Sequence, residues 1–254
     1  MKSAMLKSIA VSAFVLGLSA QVQAKIVDKV EQSFNVGADS SFRLENVNGA
    51  VNISAWDKDE INVLATVTAE DQRDRDRIVI DMKENSRGVS VETRYKEESS
   101  WGNHHSGKVE YEIKVPVSIR LSAIELVNGS LSIDGVHGAI KAELVNGSIN
   151  VSGMASNGEF SSVNGSIKLN YDQLGKDFNR LEVETVNGSI KVHVPHDLNA
   201  SVDIETMHGS IKNDFGITAD KNMFVGHNLH GTIGSGDVKI SMESVNGSVK
   251  LLKN

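Results

Sequence analysis

The stretch Glu143-Leu144-Val145-Asn146-Gly147-Ser148-Ile149-Asn150-Val151 decides the fold, because its central unit recurs along the chain. Five units have the sequence Val-Asn-Gly-Ser. Recurrence of this kind is typical of repeat proteins, in which each unit packs only on its neighbours. Units of the general form apolar, Asn or His, Gly, small begin nine times, at Val47, Val127, Val136, Val145, Val163, Val186, Met207, Leu229 and Val245.

Residues on both sides of the unit alternate between apolar and polar, as in 181–185 before one unit and 189–192 after it. This period of two predicts strands. We expect Asn-Gly to supply a bend between them, because Gly accepts positive φ and Asn and His tolerate it better than most residues. A two-residue hairpin is the competing interpretation, since Asn-Gly also favours that turn. The predicted turn residues are Asn128, Gly129, Asn146, Gly147, Asn164, Gly165, Asn187, Gly188, His208, Gly209, Asn246 and Gly247.

The spacing of the units favours a coil over a hairpin. With Val136 set aside, the units from Val127 to Leu229 start 18, 18, 23, 21 and 22 residues apart, and Gly135 and Gly153 lie midway. Eighteen strand residues trace a perimeter of roughly 60 Å, enough to enclose a narrow apolar interior. The sequence therefore predicts an all-β fold, a single-chain parallel β-helix or β-solenoid over residues 116–254 with two corners per coil.

The segment 25–115 repeats less regularly and is predicted to be a β-strand region packed on the solenoid or continuous with it. Both Val-Pro steps, at Pro116 and Pro195, are expected to mark strand ends. The charged run 71–76 fits a turn of helix or a loop, and the polar stretch 97–107 is predicted to be a mobile loop. The predicted strands are 41–45, 50–54, 61–67, 77–80, 89–92 and 109–113.

The first 24 residues resemble a secretory signal peptide, with Lys2 and Lys7 before a short apolar stretch and Ala24 at the expected cleavage site. Beyond them we expect no transmembrane segment. Export to the periplasm, the cell surface or the medium is therefore predicted. Cleavage would leave 24 basic and 33 acidic side chains, a net charge of −9 with His neutral. This balance disfavours nucleic acid and anionic membrane surfaces as partners, because both are bound mainly through Lys and Arg.

Stacked coils turn sequence columns into spatial columns, so residues two places before the unit are predicted to form an acidic stripe. Lys168, Lys191, Lys212 and Lys250 follow the unit and would form a basic stripe beside it. One interpretation is a stripe that binds Ca²⁺ or a cationic polymer; the other is a solvated face whose two stripes neutralise each other. The candidate acidic column comprises Glu125, Glu143, Glu184, Glu205 and Glu243.

The sequence predicts no catalytic residues, no cofactor and no metal site. Nucleophile elbows, phosphate-binding loops and zinc motifs are missing from it. His193 and His196 flank a Val-Pro step, and His104 and His105 lie in the polar stretch. Three or four converging ligands are needed for a metal, so these histidines are interpreted as ordinary surface residues.

Taken together, the early Val47-Asn48-Gly49 unit, Trp56-Asp57, the Val115-Pro116 step and the serial Val-Asn-Gly-Ser turns resemble a bacterial adhesin-like family, domain of unknown function 4097. The resemblance extends over nearly the whole chain beyond Ala24. It implies an exported β-solenoid with no catalytic residues to carry over.

Three functional hypotheses remain open at the level of sequence. The first is an exported, non-enzymatic binding or scaffold module whose solenoid surface contacts an envelope protein or a glycan. The second is a structural protein that forms homo-oligomers through open solenoid ends, since uncapped strand edges invite association. The third, a polysaccharide lyase or hydrolase, would need Asp, Arg or Lys clustered in one groove.

Overall fold

The computed structural model describes residues 25–96, 107–221 and 225–254, and these form two long sheets that enclose one apolar interior. The predicted β-solenoid is confirmed. The predicted signal peptide and nearly all of the predicted polar loop, with His104 and His105, lie outside the described residues. Within the described ranges, no helix is long and apolar enough to cross a membrane.

The first sheet has ten strands. Its order in space is β1 (Ile26–Asn35), β4 (Glu60–Ala69), β7 (Lys108–Pro116), β3 (Val51–Trp56), β9 (Leu131–Asp134), β11 (Ile149–Met154), β13 (Ile167–Tyr171), β15 (Ile190–Val194), β21 (Val249–Lys253) and β17 (Ile211–Asn213).

The second sheet has eleven strands. Its order is β18 (Asp220–Lys221), β19 (His227–Ile233), β16 (Ala200–His208), β20 (Val238–Asn246), β14 (Arg180–Asn187), β12 (Gly158–Asn164), β10 (Ile140–Asn146), β8 (Arg120–Asn128), β2 (Ser41–Asn48), β6 (Gly88–Tyr95) and β5 (Ile78–Asn85). The single helix of the described residues, α1 (Gln72–Arg77), occupies the predicted charged run and is capped by Asp71.

Each coil consists of one strand from each sheet joined at an Asn-Gly corner. Strands β10 and β12 pair in parallel with Asn146 opposite Asn164, a shift of one 18-residue repeat. Alternate side chains point inward, so Leu131, Ile149 and Ile167 stack in one fully buried line. Burying an aliphatic side chain of this size contributes roughly 1.5–3 kcal/mol. A coil gains this burial only with neighbours above and below it.

The corner glycines are required by close stacking of the coils. A Cβ on Gly165 would lie 1.9 Å from the carbonyl oxygen of Gly147, and one on Gly188 would lie 2.0 Å from that of Gly165. The expected reason, a positive φ shared by Asn and His, is wrong, because no described residue other than glycine has a positive φ. Among the corner glycines, only Gly49 (+124°) and Gly147 (+153°) have a positive φ, and values near +70° occur at Gly135 and Gly153, on the opposite side of the coil.

Asparagine recurs at the corner because its side chains form a ladder. Each carboxamide nitrogen donates to the Oδ1 of the asparagine one coil away, at 2.9–3.0 Å, from Asn246 through Asn187, Asn164, Asn146 and Asn128 to Asn48. Buried hydroxyls complete the corner: Ser162, Thr185 and Ser244 donate to the glycine carbonyls of the neighbouring coil. The corner thus carries no unpaired carboxamide nitrogen along this ladder, which helps to hold the coils in register.

The coils do not stack in sequence order. The C-terminal coil, β20 and β21, lies between the coil of β14 and β15 and the coil of β16 and β17. After Val194 the chain therefore skips one coil position in the stack. The C-terminal strands β20 and β21 fill this position. The expected corner at Leu229 is also absent, because β19 runs straight through Leu229-His230-Gly231 as an antiparallel neighbour of β16. His137 lies on the far side of its coil, where its backbone N–H donates to the carbonyl oxygen of Val117.

The six predicted strands of the N-terminal region correspond to β2 to β7, but β1 (Ile26–Asn35) was not predicted. Strands β2 and β3 form a coil in register with β8 and β9, while β1, β4 and β5 are antiparallel to their neighbours. Both proline predictions are confirmed, because β7 ends at Pro116 and β15 ends just before Pro195. Antiparallel strands thus lie at the ends of the parallel stack, with β19 at the end opposite β5.

Candidate binding surface

The eleven-stranded sheet carries a line of glutamates on its outer face. Strand pairing places all five glutamates of the candidate column in this line, interrupted only by Ser161 of β12. Glu45 and Glu92 extend it toward the N-terminal end. We call these residues the acidic row; in spatial order they are Glu92, Glu45, Glu125, Glu143, Glu184, Glu243 and Glu205.

The four lysines after the unit form a second line, but on the ten-stranded sheet. Lys168, Lys191, Lys250 and Lys212 pair in register on β13, β15, β21 and β17. None of them forms an ion pair with the acidic row among the described residues; Glu143, for example, pairs with Lys141 on its own strand at 3.1 Å. Mutual neutralisation of the two lines by ion pairs is therefore not observed in this part of the chain.

Much of the acidic row lacks a cationic partner. Glu125, Glu184, Glu243 and Glu205 have no Lys or Arg nitrogen within 4.0 Å among the residues that the structure describes. Burial raises the pKa of the Glu184 carboxyl, and repulsion from Glu182, Glu243 and Glu159 raises it further. Four of the seven glutamates are therefore uncompensated negative charges that a cationic partner would stabilise, whereas Glu45, Glu92 and Glu143 each have an Arg or Lys neighbour on their own strand.

Replacement of Glu184 tests this repulsion through its pH dependence. Because the folded-state pKa of Glu184 lies above its ordinary value of 4.5, ionisation of the carboxylate destabilises the native state above the folded pKa and has no such effect below the unfolded pKa. Glu184→Gln should therefore raise the free energy of unfolding at pH 7 by under about 1 kcal/mol, with the gain absent at pH 3. Urea unfolding at both pH values measures the difference. Glu84→Gln, at an exposed site on β5, is the control; an equal gain at both pH values for Glu184→Gln would contradict this account.

An exposed apolar line runs beside the acidic row and was not predicted from the sequence. The first residue of the repeated unit points outward, so Val127, Val145, Val163 and Val186 remain 41–42% exposed and Met207 is 52% exposed. The alternation of the preceding strand could have indicated this, because Leu144 is buried and its neighbour must face out. We call this line the valine ridge; in spatial order it comprises Val47, Val127, Val145, Val163, Val186, Val245 and Met207.

Two concave regions lie along this sheet. A groove of about 640 Å³ runs between the acidic row and the valine ridge, lined by Glu125, Glu143, Val127 and Val145 and bounded by Tyr95. A larger groove of about 740 Å³ lies at the opposite end of these strands, where they begin, and is lined by both basic and acidic side chains. In it Lys141 donates to Glu159 at 2.6 Å, and its bonds to Glu159 and Glu143 raise its pKa. The first groove is the more distinctive, because it combines exposed apolar side chains with carboxylates, of which Glu125 has no cationic partner among the described residues.

The histidines beside Pro195 do not converge on a candidate metal site among the described residues. His193 is half-buried on the ten-stranded sheet, where burial, Lys191 and Lys168 lower the pKa of its imidazole. His196 is exposed in the following turn.

Several solved structures resemble the chain over most of its length, all at low sequence identity. They include a protein named a putative cell adhesion protein from Clostridium sporogenes, with 14% identity, a TM-score of 0.49 and coverage of 90% of this chain and 100% of the other. Another is a putative adhesin from Bacteroides fragilis, with 14% identity, a TM-score of 0.43 and coverage of 88% and 97%. A third, named a putative lipid binding protein, is from Parabacteroides distasonis, with 12% identity, a TM-score of 0.35 and coverage of 89% and 97%.

No curated protein matches the sequence significantly. The family model described as Toastrack DUF4097 matches residues 117–252, which include β8 to β20 and most of β21. This range covers more than half of the chain and contains all five Val-Asn-Gly-Ser corners. The chain therefore belongs to the Toastrack DUF4097 family.

Proposed function

We propose that this protein is an exported, non-enzymatic adhesin-like module that binds an envelope protein or a glycan through the acidic row and the valine ridge. The observation that carries the proposal is the exposed valine ridge. Monomeric proteins rarely leave a continuous line of apolar side chains in water, and such a surface usually marks an interaction site. The preferred partner has basic groups that reach the unpaired carboxylates and apolar groups that cover the valines.

Self-association through the solenoid ends is less well supported. At the end near β16 the outermost strands are very short, β18 with two residues and β17 with three, whereas at the other end β1 has ten residues and β5 has eight. Short outer strands are one of the ways in which proteins discourage edge-to-edge pairing. Edge pairing is therefore discouraged at the end with β17 and β18, and the valine ridge along the side of the coils is the better supported surface because it is apolar and exposed.

Binding to envelope fractions and glycan arrays tests the proposal. The triple variant Val127→Thr, Val145→Thr, Val163→Thr keeps β-branched side chains but removes three outward methyl groups, and should weaken capture at least about tenfold, because 1.4 kcal/mol corresponds to a factor of ten. Glu125→Gln with Glu143→Gln should weaken it further at low salt. The control, Ser132→Thr with Asn150→Thr, alters exposed positions of the other sheet.

Two outcomes would overturn the proposal. One is capture that the valine triple variant leaves unchanged, and the other is turnover of a polysaccharide by the purified protein without any partner being captured. Export is tested separately by mass spectrometry of the protein expressed in its host. The expected mature N-terminus is Lys25.

A further inference from the structure

Strands β16 and β19 bring three metal-ligating side chains and Asn228 together at the end of the solenoid opposite β5. In this antiparallel pair, Asp203 lies opposite His230 and Glu205 lies opposite Asn228. All four alternate with buried residues such as Leu229 and therefore lie on the outer face of the sheet. No sequence motif indicates this group, because its members come from strands more than twenty residues apart.

The geometry of the group suits a small cation. One ligand atom each of Asp203, Glu205 and His230 can be chosen so that all three lie within 4.8 Å of one another. The Nδ1 atom of His230 lies 2.9 Å from Oδ1 of Asp203. The side chains of both residues are about half exposed, so an ion in solution can reach them.

Asn228 lies two residues before His230 on the same face of β19. Its carboxamide nitrogen lies 3.5 Å from Nε2 of His230, which places the amide beside the group. Its Oδ1 atom is inaccessible to solvent and accepts no hydrogen bond. Because this oxygen is closed to solvent, the ligand atoms of Asp203, Glu205 and His230 form the site without it.

The surrounding charge favours the same ligand. Glu205 is the last member of the acidic row and pairs in register with Glu243, which pairs in turn with Glu184. Among the described residues, no Lys or Arg forms an ion pair with Asp203 or Glu205. The group therefore lies in a region of negative charge.

We propose that Asp203, Glu205 and His230 form a binding site for a divalent transition-metal ion such as Zn²⁺. Imidazole nitrogen together with carboxylate oxygen is a ligand set that Zn²⁺ accepts, and it distinguishes the site from an all-oxygen Ca²⁺ site. The ion takes the place of any proton between His230 and Asp203 and links β19 to β16. The inference does not depend on the proposed binding surface.

Isothermal titration of the purified, tag-free protein with zinc chloride tests the site. One ion per chain is expected, together with a rise in melting temperature as zinc is added, because a ligand of the folded state stabilises it. His230→Gln and Asp203→Asn should each weaken binding at least about thirtyfold, within the range usual for losses at a metal site. Should one of these variants fail to fold, Glu205→Gln provides the same measurement.

Two matched controls separate this site from adventitious binding. His137→Gln removes an exposed histidine elsewhere, and Glu143→Gln removes a carboxylate of the same acidic row four coils away. Both should leave the affinity and the stoichiometry unchanged. Absence of zinc binding, an affinity that His230→Gln and Asp203→Asn do not change, or an equal loss in the controls would overturn the proposal.

Discussion

A chain ending at Asp237 is expected to lose ordered structure throughout residues 195–237, although only 17 residues are removed. Strand β20 pairs with β14 on one side and β16 on the other, so its coil lies inside the stack. Its loss deprives the coil of β16 and β17 of its only parallel neighbour among the described strands. Five buried side chains of roughly 1.5–3 kcal/mol each also leave the core: Val238, Ile240, Met242, Val249 and Leu251.

Limited proteolysis measures this effect. We expect rapid cleavage of the truncated chain in the segment 195–199, which links β15 to β16, while the coils up to β15 resist. A peptide covering residues 236–254 should restore protection when added in trans, because the open position is complementary to it. Removal of Asn254 alone is the control, since it spares both strands of the coil. Protease resistance and melting equal to those of the full chain would contradict the inserted position of the last coil.

Gly188→Ala is expected to destabilise the fold by about 3–5 kcal/mol, among the largest effects for a single methyl group. The new Cβ would lie 2.0 Å from the carbonyl oxygen of Gly165 and 2.5 Å from its carbonyl carbon. That carbonyl cannot move aside easily, because it also accepts a hydrogen bond from the buried hydroxyl of Thr185. The coils would have to separate locally, which would also disturb the ladder at Asn187.

Urea unfolding of the Gly188→Ala variant checks this value. The φ of Gly188 lies outside the left-handed range, so the loss reports steric contact between coils and not backbone strain. Gly37→Ala is the matched control, because its Cβ would meet nothing within 4 Å and its φ is not positive. The control should change stability by under about 0.5 kcal/mol. A Gly188→Ala midpoint within the error of the wild type would mean that the coils are not stacked this closely.

Much of the architecture follows from local pattern. Alternation around Gly147 and Gly165 predicts the strands and their inward faces, and the 18-residue spacing predicts the coil and its register. The alignment of Glu125 with Glu143 could be anticipated for the same reason, since equal spacing in sequence becomes adjacency in space. These features depend on interactions within one repeat or between adjacent repeats.

Other features could not be predicted because they depend on contacts between distant segments. Asn164 is needed for an amide ladder and Gly165 for close approach, neither of which is a property of one turn in isolation. The group of Asp203, Glu205 and His230 exists only because a unit-like segment forms a straight antiparallel strand. Sequence similarity to the other units had predicted a corner there.

By itself, the sequence determined that this chain builds a two-cornered β-solenoid whose glutamates align, because period and spacing act through neighbouring residues. Only the tertiary structure decided the order of the coils, the insertion of β20 and β21, and the surfaces that result. The physical reason is that the repeats are so similar in sequence. Nearly identical corners, such as those at Asn187 and Asn246, can stack on one another in several orders. The order is therefore selected by the outer strands and by the connection after β15, which leaves the coil position of β20 and β21 open.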